Sequence, residues 1–321
     1  MNELYKKGYQ FLFLISHNIF EIKKQRYSSM KDGTERRKNM ITKIIVNEMT
    51  KRGYGVKETK VMKNNTSYEG IFFTKHPATL EKLDNSPVIR TDDIVGDSLD
   101  KTIDNLLQAF LIITKQNLIN PFDLLKTKEE VLKHLTIKMQ QESKENLIKK
   151  STQFIGIEQV LSISIQNEDG TVMSLKSAEG INTLLEKFNI SKEHAWMQAM
   201  ENVEKQAVVM HMVDMIPFCT EQTDMLVLTN NPHINGASVI LCESILKKVA
   251  EIFKTTEFVV LPSSVHEWIA VKNDDTEMIP RLTSMVKEIN GDKTVIKPEE
   301  ILGDCAYYVV LKENGVKVMS L

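Results

Sequence analysis

The sequence predicts a globular α+β protein. Apolar residues recur with helical spacing in several segments, and short segments rich in β-branched and aromatic residues lie between them. Gly, Pro and Asn residues separate the two kinds of segment. In order, the segments predict an N-terminal helix-plus-hairpin, a helical region and a C-terminal β-α-β-β-α-β layer. This order is typical of an antiparallel or mixed sheet with helices on one face, as in ferredoxin-like layers.

The N-terminal part of the chain predicts an extension followed by a small α+β module. Residues 1–39 are assigned to the extension, although helical spacing of apolar residues runs over 34–52. Two β-rich segments, 56–62 and 68–74, are separated by an Asn-rich turn. A hairpin is therefore expected directly after the helix.

A helical region and a domain boundary are expected next. Apolar spacing predicts helices over residues 97–115 and 128–150. The alternating segment that begins at Val160 then changes the pattern from helix to strand. We therefore assign the N-terminal module to residues 40–155 and the C-terminal module to residues 156–321.

The C-terminal module has the clearest order of elements. A hairpin and two helices open it, and Ser191 is a natural N-cap for the second helix. The β-α-β-β-α-β order follows. The expected elements are strands 160–166 and 171–175, helices 178–188 and 191–206, strand 224–229, helix 237–253, hairpin 258–271, helix 276–290, and strands 306–311 and 316–319.

The segment 257–271 is the most distinctive passage, because two short apolar runs are joined there by a Pro-Ser-Ser turn. Its polar residues are the types that a Ser-His-acid nucleophile site uses. Neighbouring residues of a strand point to opposite faces, so the glutamate is poorly placed to orient the histidine. A turn whose serines bond backbone groups is the favoured interpretation. The catalytic candidates are Ser263, Ser264, His266, Glu267 and, as a more distant acid, Asp304.

The loop before helix 237–253 is a second candidate site. Backbone N–H groups at a helix N-terminus can hold an anion, and this loop is rich in Asn. It lacks the lysine and the glycine density of a phosphate-binding loop, so an Asn-rich turn that caps the helix is favoured. Whether it lies beside the Pro-Ser-Ser turn stays open at this point. The binding candidates are Asn230, Asn231, His233 and Asn235.

Composition excludes several classes of protein. The 41 Lys and Arg residues nearly balance the 43 Asp and Glu residues, so no global field attracts nucleic acid or anionic membranes. The three cysteines lie far apart and no His or Cys pair has ligand spacing, so neither a metal site nor a cofactor is expected. The apolar run 11–15 is too short for a signal peptide or a spanning helix. We therefore expect a cytoplasmic protein without a membrane partner.

Two residue groups are candidate binding surfaces. A basic cluster near the N-terminus could contact phosphates, although a solvated helix face is favoured. A Met-rich segment beside Trp196 could form an adaptable surface for a protein partner, although core packing is favoured. The basic residues are Lys23, Lys24, Arg26, Arg36, Arg37, Lys38 and Lys43, and the methionines are Met197, Met200, Met210, Met212 and Met215.

Several motifs, spread from about residue 40 to the C-terminus, carry a family resemblance. They are MKNN at 62–65 with Gly70-Ile71, LEKFNIS at 185–191 with Trp196, the segment 229–241 with NGAS at 235–238, LPSSVHE at 261–267, MVKEIN at 285–290, and PEEILGD at 298–304 with Tyr307-Tyr308. Through these motifs the chain resembles the domain of unknown function 5688 family, which is found chiefly in gut bacteria. The resemblance implies a shared fold and brings no established activity, cofactor or partner.

The sequence contains no complete catalytic, metal or nucleotide motif. We therefore expect a non-enzymatic interaction or regulatory protein whose partner is another protein. An accessory or anti-defence factor of a mobile element, binding a host protein, would fit this expectation. A hydrolase-like enzyme that uses Ser263, Ser264 and His266 is the first alternative. Nucleic-acid binding through the N-terminal basic face is the second.

Overall fold

The computed structural model describes most of the chain from Glu35 onward, and the described residues form two compact units. One unit lies within residues 22–124 and the other begins at Leu125. The predicted boundary at 155/156 falls inside the second unit, and the predicted extension up to residue 34 lies outside the described residues. The described residues are 35–63, 65–74, 88–94, 98–115, 125–166, 172–215, 225–272, 278–292, 295–313 and 315–320.

The first unit is a three-stranded antiparallel sheet packed against helices. Its elements are, in chain order, α1 (Glu35–Lys51), β1 (Val56–Lys63), β2 (Thr66–Phe73), β3 (Ile89–Arg90), α2 (Thr91–Ile94) and α3 (Leu99–Lys115). The strands lie in the order β1-β2-β3. The predicted helix is confirmed as α1, and the predicted hairpin is confirmed by the antiparallel pairing of β1 with β2. Fully buried Ile45 and Met49 of α1 pack in one core cluster with Ile71 and Phe73 of β2.

The second unit begins with a four-stranded antiparallel sheet. Its elements are α4 (Lys128–His134), β4 (Leu135–Gln141), β5 (Lys149–Ser151), β6 (Ile157–Gln166), β7 (Val172–Leu175), α5 (Ala178–Lys187) and α6 (Lys192–Gln206). Strand β6 is central, because β4 pairs along one edge while β5 and β7 pair along the other. The predicted N-cap is confirmed, since the Ser191 hydroxyl accepts from the His194 N–H.

The helix predicted over residues 128–150 is wrong beyond His134. From Leu135 the backbone is extended and all seven residues of β4 pair with β6. Leu135, Ile137 and Met139 are buried at every second position, as in a strand with one face in the core. In a segment this short, the spacing of apolar residues alone does not distinguish a strand from a helix. Pairing with β6 decides the conformation, and its partner residues lie 16 to 28 positions further along the chain, beyond the reach of local spacing.

A six-stranded antiparallel sheet forms the rest of the second unit. Its strands lie in the order β13-β12-β10-β11-β9-β8, which places the hairpin β10–β11 at the centre. A ferredoxin-like layer would instead place its first and third strands in the centre. The elements are β8 (Ala207–His211), α7 (Met212–Met215), β9 (Met225–Asn230), the 3-10 helix Gly236–Leu241, α8 (Glu243–Phe253), β10 (Glu257–Ser264), β11 (Glu267–Lys272), α9 (Met278–Gly291), the 3-10 helix Pro298–Glu300, β12 (Tyr307–Lys312) and β13 (Gly315–Ser320).

The six-stranded sheet carries helices on both faces, so the prediction of helices on one face is wrong. Ile279 of α9 packs with Val259 and Leu261 of β10 in one core cluster. On the opposite face, Phe253 of α8 contacts Phe258 with the ring centroids 6.1 Å apart. The cause is the composition of β10, whose successive apolar residues are buried on both faces and therefore need cover on both sides.

The helix predicted over residues 237–253 is two helices. The 3-10 helix Gly236–Leu241 comes first, Cys242 is extended, and α8 follows. The Ala237 carbonyl accepts from the Trp268 indole and the Ala237 N–H donates to the Val265 carbonyl. These bonds hold the first turn against the sheet, so it does not continue directly into α8.

A buried ion pair stabilises the four-stranded sheet. Glu158 of β6 is 5% exposed, and its carboxylate lies 2.9 Å from the Lys149 ammonium. The Gln140 amide and the Ser143 hydroxyl also donate to it, at 2.8 and 2.9 Å. Burial alone would raise the pKa of Glu158, but the hydrogen bonds from Lys149, Gln140 and Ser143 together lower it below its ordinary value.

We expect Glu158→Gln to lower the free energy of unfolding near neutral pH by about 1–3 kcal/mol. Because the carboxyl pKa is lowered in the folded state, its contribution is present above the unfolded pKa and lost as the pH falls through the folded pKa. The variant should therefore lose less stability than the wild type on acidification. Urea unfolding followed by tryptophan fluorescence measures this unit, since Trp196 and Trp268 both lie in it. Equal acid sensitivity of wild type and variant would contradict the assignment, and exposed Glu193→Gln is the control.

Candidate functional site

The turn of the central hairpin is a β-bulge that gathers the predicted polar residues. The pairing of β10 with β11 shifts register between Pro262 and Ser264. The hydroxyls of Ser263 and Ser264 both donate to one carboxylate oxygen of Glu267, at 2.9 and 2.8 Å. Each serine proton is therefore directed to the glutamate.

His266 joins this turn to the Asn-rich loop. Its Nδ1 accepts from the Asn235 backbone N–H at 3.0 Å, and its own backbone N–H donates to the Ser264 hydroxyl at 3.0 Å. Its carbonyl accepts from the Thr229 hydroxyl at 2.8 Å. Because Nδ1 is an acceptor, the neutral imidazole carries its proton on Nε2. The structure thus brings together the two loops whose proximity the sequence leaves open.

The Asn-rich loop is a compact turn with internal hydrogen bonds. The Asn230 side chain donates to the Ile234 carbonyl at 2.9 Å and accepts from the Ile234 N–H at 3.1 Å. His233 and Asn235 both adopt left-handed backbone conformations, with φ of 54°. Asn231 and His233 are exposed at the tip. The N–H groups of Asn235 and Ala237 donate to His266 and Val265, so the protein itself uses the amides that could hold an anion.

Gly236 lies where the two loops approach most closely. A Cβ on this residue would stand 2.5 Å from the Thr229 hydroxyl, 2.6 Å from the Asn230 nitrogen and 2.7 Å from the His266 carbonyl oxygen. Two of these atoms belong to the backbone and cannot move without breaking the sheet or the turn. Only glycine fits this position.

The five catalytic candidates form hydrogen bonds that differ from those of a nucleophile site. In a Ser-His-acid site the serine donates to the histidine, which donates to the acid. Here the serines donate to Glu267 and the His266 Nδ1 accepts from a backbone amide. Asp304 accepts from the Asn290 side chain at 2.8 Å. The hydrogen bonds connect loops to one another and hold the turn in place.

The other predicted surfaces are dispersed. Met212 is buried and Met210 packs against the same core cluster, while Met197 and Met215 are exposed at 62% and 44%. Lys43 is exposed on α1. Lys23, Lys24 and Arg26 lie outside the described residues, as do the side chains of Arg36, Arg37 and Lys38. Among the described residues, no group of three or more His, Cys, Asp or Glu side chains is placed to hold a metal ion. No helix among them is long and apolar enough to cross a membrane.

The loop 152–156 is the feature that sequence reasoning missed. Phe154 is fully buried between Trp268 and Tyr307, with ring centroids 4.8 and 5.2 Å away. The next residue, Ile155, is 71% exposed. The predicted module boundary at 155/156 cuts through this loop, and the signal for the loop is an apolar pair flanked by Gln153 and Gly156.

Hydrogen bonds fix the loop 152–156 on both sides. The Tyr307 hydroxyl donates to the Ile155 carbonyl at 2.8 Å, and the Glu142 N–H donates to the Gly156 carbonyl at 2.9 Å. The Thr152 hydroxyl lies 2.8 Å from the Ile157 carbonyl oxygen and accepts from the Phe154 N–H. Burial and a hydrogen bond with Cys305 hold the pKa of Tyr307 far above its ordinary value, so its proton stays available to the loop.

We expect Gly236→Ala to lower the free energy of unfolding of the second unit by more than about 3 kcal/mol, or to prevent folding, because the new methyl group meets backbone atoms. Gly291→Ala is the matched control, since a Cβ there has open space at the end of a helix. Urea unfolding and far-UV circular dichroism measure both variants. Equal stability of the two variants would contradict the close approach.

We expect His266→Ala to lower the free energy of unfolding by about 1–3 kcal/mol, because the Asn235 N–H loses its acceptor. In His266→Asn the side-chain oxygen can replace Nδ1, so the loss should be smaller. Urea unfolding of both variants tests this, and nitrogen NMR of labelled histidine reports the tautomer directly. A proton on Nδ1, or equal losses in the two variants, would contradict the assigned bond.

Comparison with known proteins identifies the family. A search of curated proteins finds no significant match, and neither does a search of solved structures. One family model, described as a family of unknown function, DUF5688, matches residues 35–309. The match covers most of the 321 residues and spans both the Asn-rich loop and the central hairpin. The chain therefore belongs to the DUF5688 family.

Proposed function

We propose that this protein is a non-enzymatic, cytoplasmic interaction or regulatory protein that binds another protein through the loop 152–156. The observation that carries the proposal is the rigid presentation of Ile155. This side chain is 71% exposed, whereas its neighbour Phe154 is fully buried. Hydrogen bonds from Tyr307 and Glu142 fix the backbone on either side of it.

Rigidity matters because binding normally costs the entropy of ordering a loop. Single exposed apolar residues are common on protein surfaces, so exposure alone would carry little weight. Ile155 differs because buried rings and hydrogen bonds already hold its backbone in one conformation. A partner pocket could bury the side chain without that ordering cost. Such preorganisation raises the affinity of a contact by lowering the entropy that binding costs.

The free energy gained by burying Ile155 is too small to hold a specific complex together by itself. Burying most of an isoleucine side chain contributes about 1–2 kcal/mol. A specific complex needs several times more, so the contact must extend over neighbouring residues and bury roughly 1,000 Å² or more in total. Ile155 would then act as an anchor within a larger surface.

The hydrogen bonds at the central turn also support a binding role. The protons of Ser263 and Ser264 are directed to Glu267, and the His266 Nδ1 is occupied by a backbone amide. A reaction that used these groups would have to break the bonds that join the two loops. A binding protein can keep all of them unchanged.

Site-specific photocrosslinking tests the proposal. A benzophenone amino acid replaces Ile155 in one protein and Met197, exposed at 62%, in a control. In lysate of the source cells we expect position 155, and not position 197, to form a discrete adduct with one protein. Excess wild-type protein should suppress the adduct, and excess Ile155→Ser protein should not. Adducts that are equal at both positions, or none at position 155, would contradict the proposal.

A further inference from the structure

We propose that the outer edge of β13 binds an extended segment of a partner protein, which adds a strand to the six-stranded sheet and places an acidic side chain opposite Lys317. This contact goes beyond the proposed function, because it does not depend on Ile155. β13 is a terminal strand that pairs with β12 on one side, and no strand of the described residues pairs with its other side. A terminal strand presents a row of backbone groups with which another extended chain can pair.

One hydrogen bond of β12 fixes which backbone groups of β13 point outward. The Leu311 N–H donates to the carbonyl of Thr256, just before β10, at 2.8 Å, so the backbone groups of Leu311 point away from β13. The residue opposite Leu311 is Val316, and the pairing of β12 with β13 continues without a register shift over six residue pairs. Because direction alternates along each strand of an antiparallel pair, Val316 and Val318 point their N–H and C=O groups outward.

These outward groups form a regular ladder. Val316 and Val318 are two residues apart, so their N–H and C=O groups repeat at about 7 Å, which every second residue of an extended chain matches. β13 contains no proline and no bulge that would interrupt the ladder. At the opposite edge of the sheet, the five residues of β8 run directly into helices at both ends. β13 is therefore the better template for an added strand.

The side chains of β13 lie on both faces of the sheet. Met319 pairs with Tyr308, which packs against the core cluster that α9 covers. Lys317 lies on the same face, two residues away, and is exposed. Val316 and Val318 lie on the other face and are half-buried. An added strand would therefore extend an apolar row on one face and meet a lysine on the other.

Lys317 selects the chemistry of the added strand. Its N–H points to β12, so the residue opposite it in an added antiparallel strand belongs to a pair without hydrogen bonds, in which side chains lie closest. An opposite charge there stabilises the pair, and a like charge destabilises it. In a two-fold dimer centred on Lys317, the lysines of the two copies would lie opposite each other. An acidic residue of a partner strand therefore fits this position better than a second copy does.

Amide hydrogen exchange of the free full chain tests the geometry. We expect the Lys317 and Met319 amides, which point to β12, to exchange slowly, and the Val316 and Val318 amides to exchange quickly. Protection of Val316 and Val318 in the free protein would overturn the inference, because another part of the chain would then already occupy the edge.

A displayed library of random linear peptides provides the probe for binding. The full chain is the selection target, and the binding of enriched, synthesised peptides is measured by surface plasmon resonance. We expect them to carry β-branched residues around an Asp or Glu, and to slow the exchange of the Val316 and Val318 amides at least about tenfold. Single N-methyl groups along a peptide should weaken binding about tenfold at every second residue and little in between, since only alternate N–H groups face the edge.

Two variants and a matched control place the peptide on β13. Val318→Pro removes an outward N–H and no bond to β12, a change that an edge strand tolerates, and should weaken binding about tenfold. Val318→Ala keeps the N–H and should bind nearly as the wild type does. Lys317→Glu should weaken binding of acidic peptides about fivefold at low salt and less at high salt. If circular dichroism shows that Val318→Pro does not fold, Lys317→Glu and the exchange of the two amides decide the test.

The outcomes separate this inference from the proposed function. Peptides that bind without slowing exchange at Val316 and Val318 would overturn it, as would a selection that enriches no peptide. A dimer that sedimentation detects in the wild type and not in Val318→Pro would overturn it in favour of a second copy. None of these results involves Ile155, whose photocrosslink decides the proposed function independently.

Discussion

The packing of Trp268 connects the features that define the second unit. Its indole lies fully buried in the central strand β11 and donates to the Ala237 carbonyl at 2.9 Å. On the same face it contacts Phe154 and Tyr307, with ring centroids 4.8 and 5.8 Å away. Truncation of a buried ring of this size typically costs about 3–5 kcal/mol. One side chain thus supports the first turn of the 3-10 helix and the loop that presents Ile155.

The polar residues of the central turn show why residue types alone do not identify a site. Hydroxyls, an imidazole and a carboxylate within five residues match the composition of a nucleophile site. The β-bulge directs both hydroxyls to Glu267, and the left-handed Asn235 directs its N–H to His266. A buried polar group without a partner costs about 1–3 kcal/mol, so a tight junction of two loops needs such residues for structural reasons.

Elements that depend on the spacing of nearby residues can be predicted from the sequence. Elements whose conformation depends on pairing with a distant strand cannot. The α+β class, the helix α1, the hairpin β1–β2 and the central hairpin follow from periodicity and turn residues. Strand β4 was predicted as helix because its conformation depends on pairing with β6. The placement of helices on both faces depends on β10 being apolar on both sides. The bond between His266 and Asn235 joins residues 31 apart, and no local pattern predicts it.

The loop 152–156 shows how a fold can fix an outward residue without determining its identity. Phe154 and Ile157 point inward and are buried, and Gly156, with a φ of 80°, reverses the chain between them. The contacts on either side of Ile155 use backbone atoms: its own carbonyl and that of Gly156. A polar side chain at position 155 would keep every one of these bonds. The fold therefore does not require an isoleucine there, and the proposed contact with another protein would give its apolar character a use.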